Sequence, residues 1–157
     1  MAHFYGDKFG EYWQWIDAGN GYIPDGAVPG GEDVNGEPLF VGRVIQAGDT
    51  LPGKIVPSHG VCYVAYGGAE HAHNNYQVLV SNYGLKWKHA KDGHVKKRAI
   101  MGGCTADGEP LFIGRAYHDG SLVIGKVHPS HGTLYFPFGG QEHSADHYEV
   151  LRHKKHM

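Results

Sequence analysis

Short apolar segments alternate with polar turn residues along the whole chain, and glycine or proline separates most of them. The chain holds 25 glycines and 8 prolines, while tyrosine, valine and phenylalanine fill the segments between them. Leu39–Ile45, Val61–Tyr66 and Tyr76–Val80 are examples of such segments. Short segments rich in aromatic and β-branched residues are typical of β-strands. The pattern predicts an all-β protein.

The same pattern occurs twice, at a constant offset of 72 residues. Gly36–Arg43 (GEPLFVGR) recurs as Gly108–Arg115 (GEPLFIGR), and 28 of 65 positions are identical between Trp15–Leu79 and Trp87–Leu151. Two copies of this length are too few for an open solenoid, so we expect them to share one core. The sequence predicts a single domain, residues 1–157, in which two tandem repeats form a pseudo-two-fold β-sandwich or barrel-like structure. Its predicted parts are an aromatic N-terminal arm (1–14), repeat one (15–80), repeat two (87–152) and a polar tail (153–157).

Four local features give more detailed predictions. Gly30 and Gly31 predict a break in the chain with positive φ angles, and Asn35–Gly36 predicts a tight primed hairpin turn. Pro52 predicts an edge position or a strand start, because proline cannot donate a ladder hydrogen bond. The polar segment Glu70–Asn75 predicts a loop.

Composition and charge exclude several functional classes. The net charge is −2 with the 13 histidines neutral, so there is no general attraction to nucleic acid or to a membrane surface. A basic segment is interpreted as a solvated positive face, with nucleic-acid binding as a minor alternative. It comprises Lys86, Lys88, Lys91, Lys96, Lys97 and Arg98. We expect no nucleic-acid partner and no membrane insertion.

The cysteines and the N-terminus bear on the cellular compartment. Cys62 and Cys104 do not occupy equivalent positions of the repeat, so a disulfide framework is not expected. The N-terminal residues contain no apolar run of the length found in secretory signals. The sequence predicts a cytoplasmic protein, and release or cell-surface display by a non-classical route stays open.

Four polar residue types recur at equivalent positions of the two repeats. They are Glu37 and Glu109, Arg43 and Arg115, Lys54 and Lys126, and His59 and His131. The glutamates and arginines are interpreted first as charges that fix the hairpin and second as ligand contacts, and the histidines as turn stabilisers. The lysines are the sharper candidates for binding, because each directly follows a glycine that would let a partner approach closely.

Each of these lysines lies 21 residues after a short polar side chain, Asp33 in repeat one and Thr105 in repeat two. A carboxylate and an ammonium that converge can hold two adjacent sugar hydroxyls, one accepting and one donating a charge-assisted hydrogen bond. Such a site would need no metal. The alternative interpretation is a surface salt bridge with no binding role.

These residues and motifs together resemble the DM-nine repeat family, a tandem β module of several invertebrate lectins and of natterin-like toxins. The motifs are GEPLFVGR, Gly-Lys, Pro-Ser-His-Gly, and a tyrosine-rich strand that ends in Gly-Gly-x-Glu-His. The resemblance implies two intertwined repeats and recognition of mannose-type glycans by an Asp and a Lys, which fall on Asp33 and Lys54. In repeat two Lys126 is retained, but Thr105 replaces the Asp and only Asp107 lies nearby. The second site is therefore expected to be weaker or altered.

Other functions were weighed against this one. His71 and His73 supply a pair of metal ligands, but no carboxylate or cysteine pair stands at a repeating metal spacing. Ser58 and His59 are adjacent in sequence, an arrangement that seldom forms a catalytic pair. We expect a non-enzymatic lectin for mannose-containing glycans without metal or other cofactor and with a pattern-recognition role, whereas a homodimer stays open. The alternative is a protein-interaction module in an intracellular stress or infection response.

Overall fold

The computed structural model of the chain describes residues 3–6, 12–82 and 84–154, of which 95 residues lie in β-strands and only two short 3-10 turns are helical. The prediction of an all-β fold is confirmed. The strands are β1 (His3–Gly6), β2 (Tyr12–Gly19), β3 (Pro29–Glu32), β4 (Pro38–Gln46), β5 (Asp49–Val56), β6 (Val61–Tyr66), β7 (Ala69–His73), β8 (Asn75–Ser81), β9 (Lys86–Lys91), β10 (Met101–Cys104), β11 (Pro110–His118), β12 (Ser121–His128), β13 (Thr133–Phe138), β14 (Gln141–Ala145) and β15 (His147–Arg152). Two 3-10 turns, Pro57–His59 and Pro129–His131, connect β5 to β6 and β12 to β13. Among the described residues, no helix has the length and apolar character needed to cross a bilayer.

The two repeats are joined by exchanged strands. Neighbouring strands close a ring in the order β4, β3, β12, β13, β14, β7, β6, β5 and back to β4. The short strand β3 of repeat one pairs with β12 of repeat two, and its counterpart β10 pairs with β5 of repeat one. The hairpins β6–β7 and β13–β14 also meet, where Ala69 is opposite Gln141. The barrel is therefore built from both repeats together.

Glycine doublets allow this exchange, and the prediction of positive φ angles there is wrong. Gly30 and Gly31 both lie within β3, and neither has a positive φ. A Cβ atom on Gly31 would overlap the carbonyl oxygen of Leu122, and one on Gly103 would overlap that of Thr50. The second glycine of each doublet is thus needed because backbone from the other repeat passes against it, whereas packed side chains surround the first.

The primed turn predicted at Asn35–Gly36 is also wrong. Only Gly36 has a positive φ there, of 88°. The connection holds five residues, with Gly36 N donating to Asp33 O at 2.9 Å and Asp33 N donating to Glu37 O at 2.9 Å. Two-residue turns with positive φ at both positions lie instead in the β4–β5, β6–β7, β11–β12 and β13–β14 hairpins, at Ala47–Gly48, Gly67–Gly68, Asp119–Gly120 and Gly139–Gly140.

Two further local predictions are corrected by the strand pairing. The segment Glu70–Asn75 is not a loop, because most of it belongs to β7, which forms a hairpin with β6 along its full length. Pro52 is neither at an edge nor at a strand start, but is buried in the middle of β5. On one side β5 pairs with β4. On its other side β5 pairs with β10 at Thr50 and with β6 from Lys54 onwards, so Pro52 lies in the interval between these two partners.

The core lies between the two repeats and is supplied by both. Its central cluster contains Trp15 and Leu39 of repeat one with Ile113 and Ile124 of repeat two, all fully buried. One further cluster flanks it on each side. Both cysteines are free thiols. Because residues of both repeats build the central cluster, the same pattern of apolar positions recurs in each repeat.

The two ends of the sheet differ. Backbone of the predicted N-terminal arm forms β1, which pairs with β2, while residues 1, 2 and 7–11 and the tail residues 155–157 lie outside the described part of the chain. At the other end β9 is the last strand, and its Lys86, Lys88 and Lys91 are exposed. This agrees with the interpretation of the basic segment as a solvated face.

Candidate functional site

Lys54 lies beside aromatic rings at the junction of the two repeats. It lies on β5, opposite Tyr63 of β6, and only 6% of its surface is exposed. Its Nζ lies 5.5 Å from the centre of the Tyr63 ring and 5.3 Å from that of Phe138, which belongs to repeat two. The Oε2 atom of Glu70 is 3.8 Å away. We call Lys54, Glu70, Tyr63 and Phe138 the first site.

Lys126 has equivalent surroundings on β12. It too is 6% exposed, and its Nζ lies 5.5 Å from the Tyr135 ring and 5.6 Å from the ring of Tyr66, which belongs to repeat one. Glu142 Oε2 is 3.5 Å away. We call Lys126, Glu142, Tyr135 and Tyr66 the second site. In both sites an ammonium lies between one ring from each repeat, an arrangement that favours a cation.

The two glutamates are fixed by the backbone of the opposite repeat. Glu70 Oε1 accepts a hydrogen bond of 3.1 Å from Gly140 N, and Glu142 Oε1 accepts one of 3.0 Å from Gly68 N. Each carboxylate therefore uses one oxygen to bind the other repeat and the second to face its lysine. The two sites consequently lie beside the contact between β7 and β14.

The electrostatics of the two lysines follow from their burial. Loss of hydration lowers the pKa of Lys54, an effect opposed first by Glu70 and then by Asp33. Burial likewise lowers the pKa of Lys126, opposed by Glu142 and Asp49. In repeat one, burial raises the pKa of Tyr63, with Glu70 and Asp33 acting in the same direction. The charge of Asp33 therefore acts on Lys54, while the role of this pair in binding stays a prediction.

The predicted residues of repeat two are arranged differently. Thr105 Oγ1 accepts a hydrogen bond of 3.1 Å from Glu109 N in the loop that corresponds to the Asp33 loop. Asp107 is exposed in the same loop. The carboxylates whose charge acts on Lys126 are Glu142 and Asp49. The repeat pattern does not indicate Asp49, because its counterpart in repeat two is the uncharged Ser121.

Glu37 and Glu109, the first pair of secondary candidates, hold the 3-10 turns. Glu37 accepts hydrogen bonds from the backbone N of Ser58 at 2.8 Å and from its hydroxyl at 2.6 Å. Glu109 does the same with Ser130 at 2.9 and 2.6 Å. These bonds hold the pKa of Glu109 below its ordinary value. Both side chains thus have a structural task at the turn that follows each lysine strand.

Arg43 and Arg115, the second pair, stack on tryptophan rings. Each guanidinium carbon lies 4.2 Å from the ring centre, over Trp15 for Arg43 and over Trp87 for Arg115. Arg43 Nε also donates to Gln77 at 2.7 Å, and Arg115 Nε forms an ion pair with Glu149 at 2.9 Å. These contacts occupy both arginines in packing the strands.

His59 and His71 contact groups other than a serine hydroxyl. His59 Nδ1 is 2.8 Å from the Tyr63 hydroxyl, whereas the neighbouring Ser58 hydroxyl donates to Glu37, so the two groups do not interact. His71 Nε2 lies 3.0 Å from Tyr66 O. Within residues 3–6, 12–82 and 84–154 no group of three or more His, Cys, Asp or Glu side chains is placed to hold a metal ion. The arrangement is suited to binding by hydrogen bonds and ring contacts.

Sequence reasoning missed the glutamates and rings of both sites, although a signal for them existed. Glu70 and Glu142 are identical at the offset of 72, as are Tyr63 and Tyr135. They were overlooked because Glu70 was assigned to a loop. Phe138 could not be assigned to the first site from sequence, because it reaches that site only through the exchange between repeats.

Comparison with known proteins gives relatives that share this repeat. The DM9 repeat model matches residues 9–63 and 33–145. Natterin-3 and Natterin-4 of Thalassophryne nattereri are 33% and 30% identical to this chain over 142 residues, which is 88% of the chain. The chain spans about a third of their length, 35% and 33% respectively.

A solved structure with the same fold is that of the nematode sperm cell motility protein MFP2B. The TM-score is 0.63 at 14% sequence identity, and the match covers 92% of this chain and 47% of that chain. At this identity the likeness concerns the fold alone. The family model spans most of the sequence and includes both lysines of the candidate sites, and the chain therefore belongs to the DM9 repeat family.

Proposed function

We propose that the protein is a non-enzymatic, metal-independent lectin that binds mannose-type glycans through one site per repeat. The observation that carries the proposal is the repeated site itself. Each repeat presents a nearly buried lysine beside a glutamate and between two aromatic rings. Membership of the DM9 repeat family supports the same conclusion.

The chemistry of the site fits a neutral sugar. The ammonium donates hydrogen bonds, the carboxylates accept them, and both types are stronger when one partner is charged. The ring faces of Tyr63 and Phe138 offer apolar surface for the C–H groups of a pyranose. At 3.8 Å, Glu70 Oε2 is beyond hydrogen-bond distance of Lys54 Nζ, so a sugar hydroxyl can accept a hydrogen bond from the ammonium.

Monosaccharide affinity is expected to be weak and to gain from two sites. A single sugar offers few contacts, which corresponds to a Kd of about 1 mM. Engagement of both sites by one branched or clustered glycan raises the effective affinity without new contacts. Such avidity would suit recognition of microbial or host glycan surfaces, the pattern-recognition role proposed for this protein.

The test is a calorimetric titration with methyl mannoside, with methyl galactoside in parallel. Lys54→Met and Lys126→Met remove the charge while keeping a long apolar side chain, and Lys97→Met is a control at an exposed lysine. We expect each site variant to lose part of the mannoside binding, the double variant to lose all of it, and the control and a chelator to change nothing. Absence of mannoside binding to the unmodified protein, or loss of binding with chelator, would overturn the proposal.

A second candidate is a protein-interaction module, favoured by one observation. Ile45 and Tyr117 occupy equivalent positions and are 70% and 80% exposed. If the protein were an adaptor, it would not be retained on mannan-coated beads, and Ile45→Ser with Tyr117→Ser would abolish partner binding. Retention on mannan that free mannose reverses, unchanged in this double variant, would exclude that role.

A further inference from the structure

The second site lacks the local carboxylate that the first site has. In repeat one the loop after β3 carries Asp33, whereas the equivalent residue after β10 is Thr105. The lysines, glutamates and tyrosines of the two sites are otherwise the same types. The question is whether anything replaces the missing carboxylate.

The strand exchange brings a different strand to each loop. Leu122 of β12 pairs with Glu32 of β3, so that the adjoining residues in the antiparallel register, Ser121 and Asp33, face each other. On the other side Thr50 of β5 pairs with Cys104 of β10, so that Asp49 faces Thr105 by the same register. Each loop therefore faces the first residue of a strand from the opposite repeat.

Asp49 and Ser121 are held in place by hydrogen bonds, Asp49 to the loop after β10 and Ser121 to the end of β3. Asp49 Oδ1 accepts a hydrogen bond of 2.8 Å from Ala106 N, next to Thr105. The hydroxyl of Ser121 donates to Glu32 O at 2.8 Å, next to Asp33. The carboxylate of Asp49 is thereby fixed to the loop of repeat two, although Asp49 belongs to repeat one.

The charge of Asp49 reaches the second site. Asp49 opposes the lowering of the Lys126 pKa by burial, as Asp33 does for Lys54 in the first site. In both repeats the charge of one aspartate thus acts on the lysine, and by the strand register a small hydroxyl side chain faces that aspartate. The aspartate is on the loop in the first site and on the facing strand in the second.

We propose that Asp49 supplies the aspartate of the second site across the repeat boundary and that Thr105 supplies the hydroxyl. This inference rests on the proposed lectin function. Both sites then take the same class of ligand, a neutral hexose with adjacent hydroxyls. Because the carboxylate and the hydroxyl exchange places, the sugar is held with a different orientation in each site. Repeat two is therefore a full binding site and not a degenerate copy.

The test is an NMR titration of the 15N-labelled protein with methyl mannoside. The amide of Gly36, which donates to Asp33 O, reports the first site, and that of Gly108, which donates to Thr105 O, reports the second. We expect Asp49→Asn to weaken binding at the second site about tenfold and to leave the first within about twofold, since one charge-assisted bond is lost. Asparagine keeps an Oδ1 acceptor for Ala106 N, so the fold is expected to persist, which the spectrum checks directly.

Two control variants distinguish the effect of Asp49 from that of the other two aspartates. Asp107→Asn removes the other nearby aspartate, and Asp33→Asn is the matched change for the first site. Weakening at Gly108 by Asp107→Asn and not by Asp49→Asn would overturn the inference. A response at Gly36 without one at Gly108 in the unmodified protein would also overturn it, while leaving the lectin proposal standing. Absence of any response would overturn both.

Discussion

The first and second sites share the same types of polar side chain, whereas the ring from the opposite repeat is Phe138 in the first and Tyr66 in the second. Both place a lysine beside a glutamate that is anchored to the opposite repeat. They differ at the loop position, where Asp33 has Thr105 as its counterpart, and at the facing strand, where Ser121 has Asp49. Because each site lies at the junction of the two repeats, a residue that is absent from one repeat can be supplied by the other. Alignment of the two repeats therefore does not by itself show that a site is lost.

The largest effect is expected at the exchange that creates both sites. Gly31→Ala and Gly103→Ala would each drive a Cβ atom into a carbonyl oxygen of the other repeat, Leu122 O and Thr50 O respectively. Backbone cannot give way as a flexible side chain can, so we expect each variant to lose about 3 kcal/mol or more of unfolding free energy. Urea denaturation followed by tryptophan fluorescence measures this loss.

The matched control is Gly139→Asn in a hairpin turn. A Cβ atom there meets nothing within 4 Å, and the φ of 62° resembles that of Asn20 and Asp119 in the same type of turn. Asparagine tolerates this conformation, so the loss should stay within about 1 kcal/mol. Equal losses for Gly139→Asn and Gly31→Ala would contradict the steric explanation.

A double variant can convert the polar residues of the second site into those of the first. The double variant Asp49→Ser with Thr105→Asp gives the second site the arrangement of the first, without changing its charge. We expect its mannoside Kd, measured through the Gly108 amide, to come within about twofold of that of the first site. If second-site binding vanished, the facing positions could not be equivalent.

The two repeats are expected to contribute differently to the pH dependence of stability, because His128 of repeat two has Val56 as its counterpart in repeat one. The His128 ring stacks on His131 at 3.6 Å, and its Nε2 lies 3.1 Å from Glu109 Oε1. Burial lowers the pKa of His128 below 6.5, His131 and Lys126 lower it further, and Glu109 opposes them. The unfolded chain therefore takes up a proton before the folded one does, so stability falls as the pH drops below 6.5.

The corresponding variant is His128→Val, which restores the residue of repeat one. The drop in melting temperature between about pH 7.5 and 5.5 should become smaller in this variant, by a few degrees at most. Part of the drop should remain, because burial and His71 lower the pKa of His73 in the same way. A drop of unchanged size would show that His128 does not contribute.

The smallest effect is expected at the edges of the sheet. Lys88 on the outer strand β9 corresponds to Ile16 on β2, whose edge is covered by β1. Lysine on an exposed edge discourages pairing with another chain. Lys88→Ile should therefore increase self-association with little change in stability, as measured by light scattering at rising concentration, whereas Lys88→Glu should not.

The sequence was sufficient to predict the all-β fold, whereas the binding role of Lys54 and Asp33 stays a prediction. The strand Leu39–Ile45 was visible from its apolar residues, and it forms most of β4. The recurrence of Gly-Lys identifies both lysines as equivalent, and in the structure each lies beside the tyrosine ring of the neighbouring strand. These features depend on local patterns or on the repeat, and both are readable along one chain.

What could not be predicted depends on contacts between repeats. Gly30 and Gly31 predict a turn, because sequence does not show that Leu122 passes against Gly31 and that the Ile124 side chain packs against Gly30. Phe138 and Asp49 join the sites of the opposite repeats, and neither has an identical counterpart at the offset of 72. An internal repeat identifies equivalent residues, but it does not show beside which of the two lysines each side chain lies.

The exchange of β3 and β10 has a consequence for how such a chain can arise. A polypeptide with one repeat would carry a β3 strand with no β12 to receive it. Two such polypeptides, related by a two-fold axis, would supply every missing pairing to each other. The strand pairing of the tandem chain thus corresponds to that of a strand-swapped homodimer whose two subunits are joined in one polypeptide, so the two halves can differ at the residues that each contributes to the other.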